Sequence, residues 1–148
     1  MKRFYLLIAA LLVCTGAWAQ LNVKSKTPAA EDIETAMESK TKLVHSESSG
    51  YLMLIISSNR YDKGGYFLLG EELDSAIKTL DDLIGLYDSL GDDTVTVEPY
   101  PNRSCSIRVI RPDWLRLKFA HQAGYCELRK KDLEKFRAAL EARIITVE

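Results

Sequence analysis

Two stretches of the chain place apolar residues at helical spacing, and each follows a short apolar strand pattern. The first starts with the run Gly65–Leu69 and turns at Gly70. Apolar residues then recur at steps of four and three: Leu73, Ile77, Leu80, Ile84, Tyr87 and Leu90. This spacing predicts a long amphipathic helix with one buried face. Gly91 follows, at the position where glycine commonly ends a helix.

The second stretch, Gly124–Ile145, repeats this order. Tyr125–Leu128 is predicted as a strand, and a helix follows over Lys131–Ile145 with an apolar face of Leu133, Phe136, Leu140 and Ile144. Both units begin with the pattern Gly-Tyr-x-x-Leu, at Gly65 and at Gly124. The match predicts an internal pseudo-repeat in which a few antiparallel strands precede one helix, with halves at 42–91 and 92–148.

The remaining apolar segments have the length and residue types of β-strands. The run Tyr51–Ile56 is continuously apolar, as expected of a central strand. Thr94–Val97 is short and β-branched, and Ser104–Arg111 and Trp114–Ala120 alternate apolar and polar positions. The loop Pro99–Asn102 separates two of these strands. The fold class predicted is α+β, with an antiparallel β-sheet packed against two long amphipathic helices.

The N-terminus has the three-part layout of a secretory signal peptide. Lys2 and Arg3 precede the apolar run Phe4–Val13, and Ala17-Trp18-Ala19 supplies small residues before a cleavage site. Residues 1–19 are therefore predicted to direct export to a bacterial periplasm or the exterior and to be removed by cleavage after Ala19. One alternative is a lipoprotein acylated at Cys14, although Val13 occupies a position that normally needs a small residue, and another is a retained N-terminal anchor. No later run is apolar for long enough to cross a membrane.

Residues 20–41 are polar and are predicted to form an N-terminal tether that includes a helix. Thr27-Pro28 would begin this helix, because proline suits the first helical turn. Glu31 and Asp32 come early and Lys40 and Lys42 late, as the helix dipole prefers. Residues 42–148 are then expected to form a single α+β domain, which is long enough to bury a core.

Charge is distributed unequally along a chain whose formal net charge is −1. Residues 20–102 carry 7 Lys and Arg against 15 Asp and Glu, whereas residues 103–148 carry 11 against 6. The simplest interpretation is that the halves dock on each other within one molecule. The alternatives are a head-to-tail contact between molecules and a second half that binds a polyanion.

The outward face of the second half is the first candidate binding surface. Strand alternation places cations and aromatic rings together on one side of a sheet: Arg108, Trp114, Arg116, Lys118 and Tyr125. Rings beside cations suit an anionic chain. The alternative interpretation is an ordinary solvated face on which arginine packs against tryptophan.

A second candidate is the loop Asn59–Gly65, in which Arg60, Tyr61 and Asp62 would line a site and Gly64-Gly65 allows unusual backbone angles. A plain hairpin connection explains the same residues. His45 and His121 do not belong to any cluster with metal-ligand spacing, so neither a metal nor another cofactor is expected. His121 and Cys126 are close in sequence, but no orienting carboxylate can be assigned to them.

Cys105 and Cys126 are the cysteines left after the leader. An oxidising compartment permits a disulfide between them. In a simple meander, however, their strands flank a third and lie about 9.6 Å apart, whereas a disulfide needs Cα atoms within about 7 Å. Two buried thiols are the alternative.

Three functional hypotheses follow. The first is an exported, non-enzymatic binding or accessory module that contacts an unknown protein or an anionic glycan of the cell envelope through the basic and aromatic face. The second is a structural homo-oligomer held by the helix stripe or by the opposed charges. The third is a small hydrolase. The order of strands and helix is similar to that of single-stranded nucleic-acid-binding folds, but a signal peptide argues against nucleic acid as the partner.

Overall fold

Eight strands and two helices follow one another in a regular order in the computed structural model of the protein, which describes residues 30–58 and 64–145. The first sheet consists of β1 (Glu31–Ala36), β2 (Thr41–Ser46), β3 (Gly50–Ile55) and β4 (Gly65–Gly70). Helix α1 (Leu73–Ser89) follows it. The second sheet consists of β5 (Thr94–Tyr100), β6 (Arg103–Arg111), β7 (Trp114–Phe119) and β8 (Cys126–Arg129), and helix α2 (Lys130–Ile145) ends the described chain.

Both sheets are antiparallel meanders. Their strand orders are β1-β2-β3-β4 and β5-β6-β7-β8. The predicted α+β class is confirmed, but the strands are divided between two four-stranded sheets where the pattern predicted one sheet. The predicted leader, Cys14 and the loop residues Arg60, Tyr61 and Asp62 lie outside the described residues.

The helix predicted from Thr27-Pro28 is wrong for the described part of that segment, because residues 31–36 form strand β1. β1 pairs with β2, with Ala36 opposite Thr41, and Ala36 is buried in the core. The early acids that suggested a helix dipole serve other purposes. Asp32 pairs with Lys42 on the neighbouring strand at 2.7 Å, and Glu31 pairs with Arg143 of α2 at 2.6 Å. Tertiary contacts therefore override the local preference.

Strand β5 also differs from the prediction, since it continues through Pro99 to Tyr100 instead of ending at Val97. A register irregularity between Val97 and Tyr100 accommodates the proline, which has no N–H to donate to β6. The turn itself is confined to Pro101 and Asn102, and Asn102 takes a positive φ of 61°.

One hydrophobic core joins the inner faces of both sheets to both helices. Alternation correctly predicted the buried side of β6 and β7: Cys105, Ile107, Leu115, Leu117 and Phe119. Helix α1 contributes Ala76, Leu80, Leu83 and Tyr87, and helix α2 contributes Leu133, Phe136 and Leu140. Ile144, expected on the buried face of α2, is 42% exposed because the buried stripe ends at Leu140. The Tyr87 hydroxyl donates a hydrogen bond to the Leu128 carbonyl at 2.9 Å and ties α1 to β8.

The opposite charges of the two halves pair with each other within one molecule. Cations of β8 and α2 form ion pairs with acids of the first half: Arg129 and Lys131 with Glu38, Lys130 with Asp88, Lys135 with Glu34, Arg137 with Asp81, and Arg143 with Glu31. The contacts of Lys130, Lys131 and Lys135 measure 2.8, 2.8 and 2.9 Å. Intramolecular docking, the simplest interpretation of the charge pattern, therefore accounts for these six cations.

Candidate functional site: a cationic sheet face

The outer face of the second sheet carries a row of polar side chains that crosses all four strands. Arg108 on β6 lies opposite Thr94 on β5 and Arg116 on β7, and Arg116 lies opposite Glu127 on β8. A second row pairs Ser106 with Lys118. The side chains share one face because successive residues of a strand point to opposite sides, and the inward positions are taken by the core.

These rows form a depression of about 380 Å³, which we call the basic groove; it is lined by Thr94, Ser106, Arg108, Arg116, Lys118 and Tyr125. Four of the five residues predicted for the binding face therefore lie together. Trp114, the fifth, lies on the same strand face but lines a neighbouring depression. Thr94 and Ser106 were missed, although the alternation that placed Arg108 outward also places Ser106 there.

Arg116 is held in one orientation by two neighbours. Its Nε and Nη2 atoms donate to Oε1 of Glu127 at 3.2 and 2.8 Å. Its guanidinium lies 3.9 Å from the centroid of the Tyr125 ring, which is a cation–π contact. The packing of arginine on an aromatic ring, the ordinary interpretation of this face, is thus present at Arg116, and Glu127 offsets the charge of this cation.

Lys118 performs a structural task. Its ammonium donates hydrogen bonds to the carbonyls of Gln122, Ala123 and Gly124, at 2.8 Å for the first and third. An ammonium has three donors, and the turn between β7 and β8 accepts all three. Lys118 keeps its positive charge, because carbonyls carry no formal charge, but it has little freedom to reach a ligand.

Arg108 is the cation of the groove that is available to bind a ligand. Its side chain is exposed, and it forms neither an ion pair nor a hydrogen bond with any residue in 30–58 or 64–145. Arg103 and Arg111, at the two ends of β6, are likewise exposed and without an ion pair among the described residues. Acids of the described residues pair with the other cations of the second half. The positive charge that no acid offsets therefore lies at three arginines of β6 and at Lys118.

A smaller depression adjoins the basic groove. This aromatic pocket has a volume of about 170 Å³, and its lining includes Ser39, Lys40, Ile56, Ser58, Trp114, Tyr125 and Glu127. Tyr125 lines both depressions, and the Arg116–Glu127 pair runs between them. Hydrogen bonds hold this junction: the Ser58 N–H donates to the Tyr125 carbonyl at 2.7 Å, and the Tyr125 N–H donates to Ser58 Oγ at 3.2 Å.

The two cysteines are buried and do not form a disulfide with each other. β7 separates their strands, since Cys105 lies opposite Phe119 and Cys126 opposite Leu117. Burial, with a further contribution from Cys126, raises the pKa of the Cys105 thiol to about 12. The Cys126 thiol faces the Ile55 carbonyl and Gln122 Oε1, at 3.9 and 3.8 Å, whereas His121 is exposed. Within residues 30–58 and 64–145, no group of three His, Cys, Asp or Glu residues is placed to hold a metal ion.

The outer face of the first sheet is apolar where that of the second is cationic. Val44 lies opposite Leu52, Leu52 opposite Leu68, and Leu54 opposite Tyr66. Val44 and Leu52 are buried but are not part of the core cluster that includes both helices, and Tyr66 is 61% exposed. These five residues form the apolar face. Lys42 and Asp32, which pair with each other, lie at its border.

Comparison of the chain with known protein families, with curated proteins and with solved structures finds no significant match to any of the three. In the part of the chain that the structure describes, neither helix has the length and apolar character needed to span a membrane.

Proposed function

We propose that the protein is an exported, non-enzymatic binding module that holds an anionic chain of a bacterial cell envelope in the basic groove. The observation that carries the proposal is the position of the unbalanced charge. Ion pairs within the molecule engage six cations of the second half, and a pair with Glu127 engages Arg116. Arg108 and Lys118 keep their charge in one depression that also holds an aromatic ring. Such a site favours anions by electrostatic attraction.

Export is proposed from the sequence, where residues 1–19 have the layout of a signal peptide. We further propose that the chain contains an internal pseudo-repeat, in which each copy consists of a sheet followed by an amphipathic helix. Four strands followed by a helix occur twice, and α1 and α2 span 17 and 16 residues. In this proposal the two copies have diverged on their outer faces, one towards an apolar surface and the other towards a cationic one.

The test is chromatography of the chain from Gln20 onward on an immobilised anionic polysaccharide, with a neutral polysaccharide as reference. We expect retention on the anionic matrix that is lost as salt screens the charges. Arg108→Glu removes the available cation and should elute at distinctly lower salt. Lys78→Glu makes the same change in net charge at an exposed position of α1, away from the groove, and this variant should elute with the wild type. Equal shifts for the two variants would show that only net charge matters and would refute the groove as the binding site.

A homo-oligomer is the second candidate function, and the apolar face is the observation that favours it. The helix stripe and many of the opposed charges are engaged within the molecule, so self-association would use another surface. Val44 and Leu52 are buried, so a two-fold contact would use the exposed Tyr66 and the half-buried Leu54 and Leu68 of this face. Light scattering tests this candidate: a dimer that Tyr66→Glu converts to a folded monomer supports it, and a wild-type monomer at all protein concentrations refutes it.

A further inference from the structure

The basic groove and the aromatic pocket are two parts of one depressed surface. Tyr125 contributes to the lining of both, and the ion-paired side chains of Arg116 and Glu127 mark the boundary. Arg116 lines the groove and Glu127 lines the pocket. A ligand with more than one unit can therefore occupy the groove with one unit and the pocket with the next.

The pocket differs from the groove in its chemistry. Its two acids are already paired, Glu127 with Arg116 and Glu38 with Lys131, each at 2.8 Å. Its remaining surface offers serine hydroxyls and apolar groups, and the Ile56 side chain is 57% exposed.

Two cations lie beside the pocket. The Trp114 ring has the Arg129 guanidinium 5.2 Å from its centroid. Lys40, at the edge, is exposed and has no ion pair with any described residue.

The residue types match the parts of an acidic sugar chain. Serine and threonine hydroxyls both donate and accept hydrogen bonds, as sugar hydroxyls do, and they occur in the groove as Thr94 and Ser106 and in the pocket as Ser58. Aromatic rings such as Trp114 and Tyr125 combine a flat apolar surface with a polar group, which suits the mixed surface of a sugar ring. Arg108 supplies a planar, permanently charged partner for an acidic group.

We infer that the groove and the pocket together form a binding site for an anionic oligosaccharide. The acidic group of one sugar unit binds at Arg108, and a neighbouring ring packs against Trp114 and Tyr125. This inference rests on the proposed anion-binding function and names its ligand class.

An acidic peptide is the competing ligand, and strand position argues against it. Extended peptides commonly bind sheets at an exposed edge, where they add a strand through main-chain hydrogen bonds. Arg108 and Arg116 lie on β6 and β7, which are the two interior strands of the second sheet. Their main-chain groups are paired on both sides, so a ligand of this face must be recognised by side chains. Side-chain recognition suits a glycan.

Tryptophan fluorescence gives a direct readout of the pocket. The sequence has two tryptophans, Trp18 in the predicted leader and Trp114. The chain from Gln20 onward contains every described element and keeps Trp114 as its sole tryptophan. The probes are galacturonate, its linear trimer, a neutral galactose trimer and a short poly-glutamate peptide, each titrated while affinity is measured by calorimetry.

We expect the galacturonate trimer to bind at least about tenfold more tightly than the monomer, because it fills both depressions. The trimer should change Trp114 fluorescence, whereas the monomer, bound at Arg108, should leave it unchanged. The neutral trimer should bind weakly or not at all. Arg108→Gln should weaken binding of both acidic sugars, and Lys78→Gln, the matched control, should weaken neither.

A pocket variant separates this inference from the proposed function. Ile56→Ser removes exposed apolar surface and should lower the affinity for the trimer about fivefold while leaving the monomer unaffected. If both acidic sugars bind equally and Trp114 does not respond, the inference is overturned and the anion-binding proposal stands. Tighter binding of the peptide than of the trimer would also overturn it. If no anionic probe binds, the proposed function itself fails.

Discussion

Arg108 and Arg116 lie directly opposite each other on β6 and β7, with like charges on the same face of the sheet. Like charges directly opposite each other destabilise a sheet, on the scale of the roughly 0.2–1 kcal/mol that a favourable cross-strand pair contributes. Glu127 engages Arg116 at 2.8 Å, and Arg108 has no corresponding acid among the described residues. An anionic ligand would offset the charge of Arg108, so this cross-strand pair connects the stability of the free protein to binding.

Removing the charge of Arg108 should therefore stabilise the free protein while weakening anion binding. We expect Arg108→Gln to raise the free energy of unfolding by about 0.2–1 kcal/mol at low salt. Arg116→Gln should lower it, since Glu127 and Tyr125 lose their partner. Urea unfolding at low and high salt measures both effects. A loss of stability in Arg108→Gln as large as that in Arg116→Gln would contradict this account of the pair.

Lys118 should matter for folding more than for charge. Lys118→Met leaves the carbonyls of Gln122, Ala123 and Gly124 without their donor and should cost about 1–3 kcal/mol of stability. Arg108→Met, the same kind of change on the neighbouring strand, should cost nothing. Denaturant unfolding gives the stabilities, and faster amide exchange in the turn would locate the effect. Equal stabilities for the two variants would show that the turn does not depend on Lys118.

The buried thiol of Cys105 predicts a loss of stability at high pH. Its pKa, about 12, is raised above its ordinary value of 9.0 mainly by burial, so the unfolded chain releases this proton first as pH rises. The stabilising contribution is complete below about pH 9 and is lost between pH 9 and 12. Burial also raises the pKa of Tyr87, which adds to the slope.

Unfolding followed from pH 8 to 11 tests this prediction. Cys105→Ala should flatten the decline above pH 9, and Lys78→Gln should leave it unchanged.

The same preparation allows thiol counting after denaturation without reductant. We expect two reactive thiols per chain from Gln20, because Cys105 and Cys126 lie unbridged on strands that β7 separates. A bridged pair would refute this expectation.

The ion pair between Glu34 and Lys135 should contribute on the acid side. The hydrogen bond from Lys135 is the main cause that holds the pKa of Glu34 below its ordinary value of 4.5. Its stabilising contribution is present above about pH 4.5 and is lost as pH falls through the lowered pKa. A double-mutant cycle with Glu34→Gln and Lys135→Met should give a coupling of about 0.2–1 kcal/mol at pH 7, since both side chains are partly exposed. A coupling that persists at pH 2 would contradict this assignment.

The alternation of β6 and β7 was enough to predict which side of the second sheet would be buried. A strand has a period of two, so one correct position, such as Ile107, determines its neighbours. On α1 the same reasoning, with a period of 3.6, predicted Leu80 and Tyr87 on the buried face, and both are buried. Ser106 could have been included in the predicted face by the same rule.

Pairings across turns could not be read from the pattern. The contact of Arg116 with Glu127 depends on the register between β7 and β8, and the role of Lys118 depends on carbonyl directions in a turn. The helix predicted from Thr27-Pro28 was wrong for residues 31–36, because ion pairs to distant residues, such as Glu31 with Arg143, resemble helix-dipole charges when only the sequence is seen.

The most direct test of the central claim is an NMR titration of the ¹⁵N-labelled chain from Gln20 with the galacturonate trimer. The account predicts that the largest amide shifts occur at Ser106, Arg108, Arg116 and Lys118 on the outer face of the second sheet, and that Arg108→Gln suppresses them. Shifts confined to α1 or to the first sheet, or an absence of shifts at millimolar trimer, would contradict it.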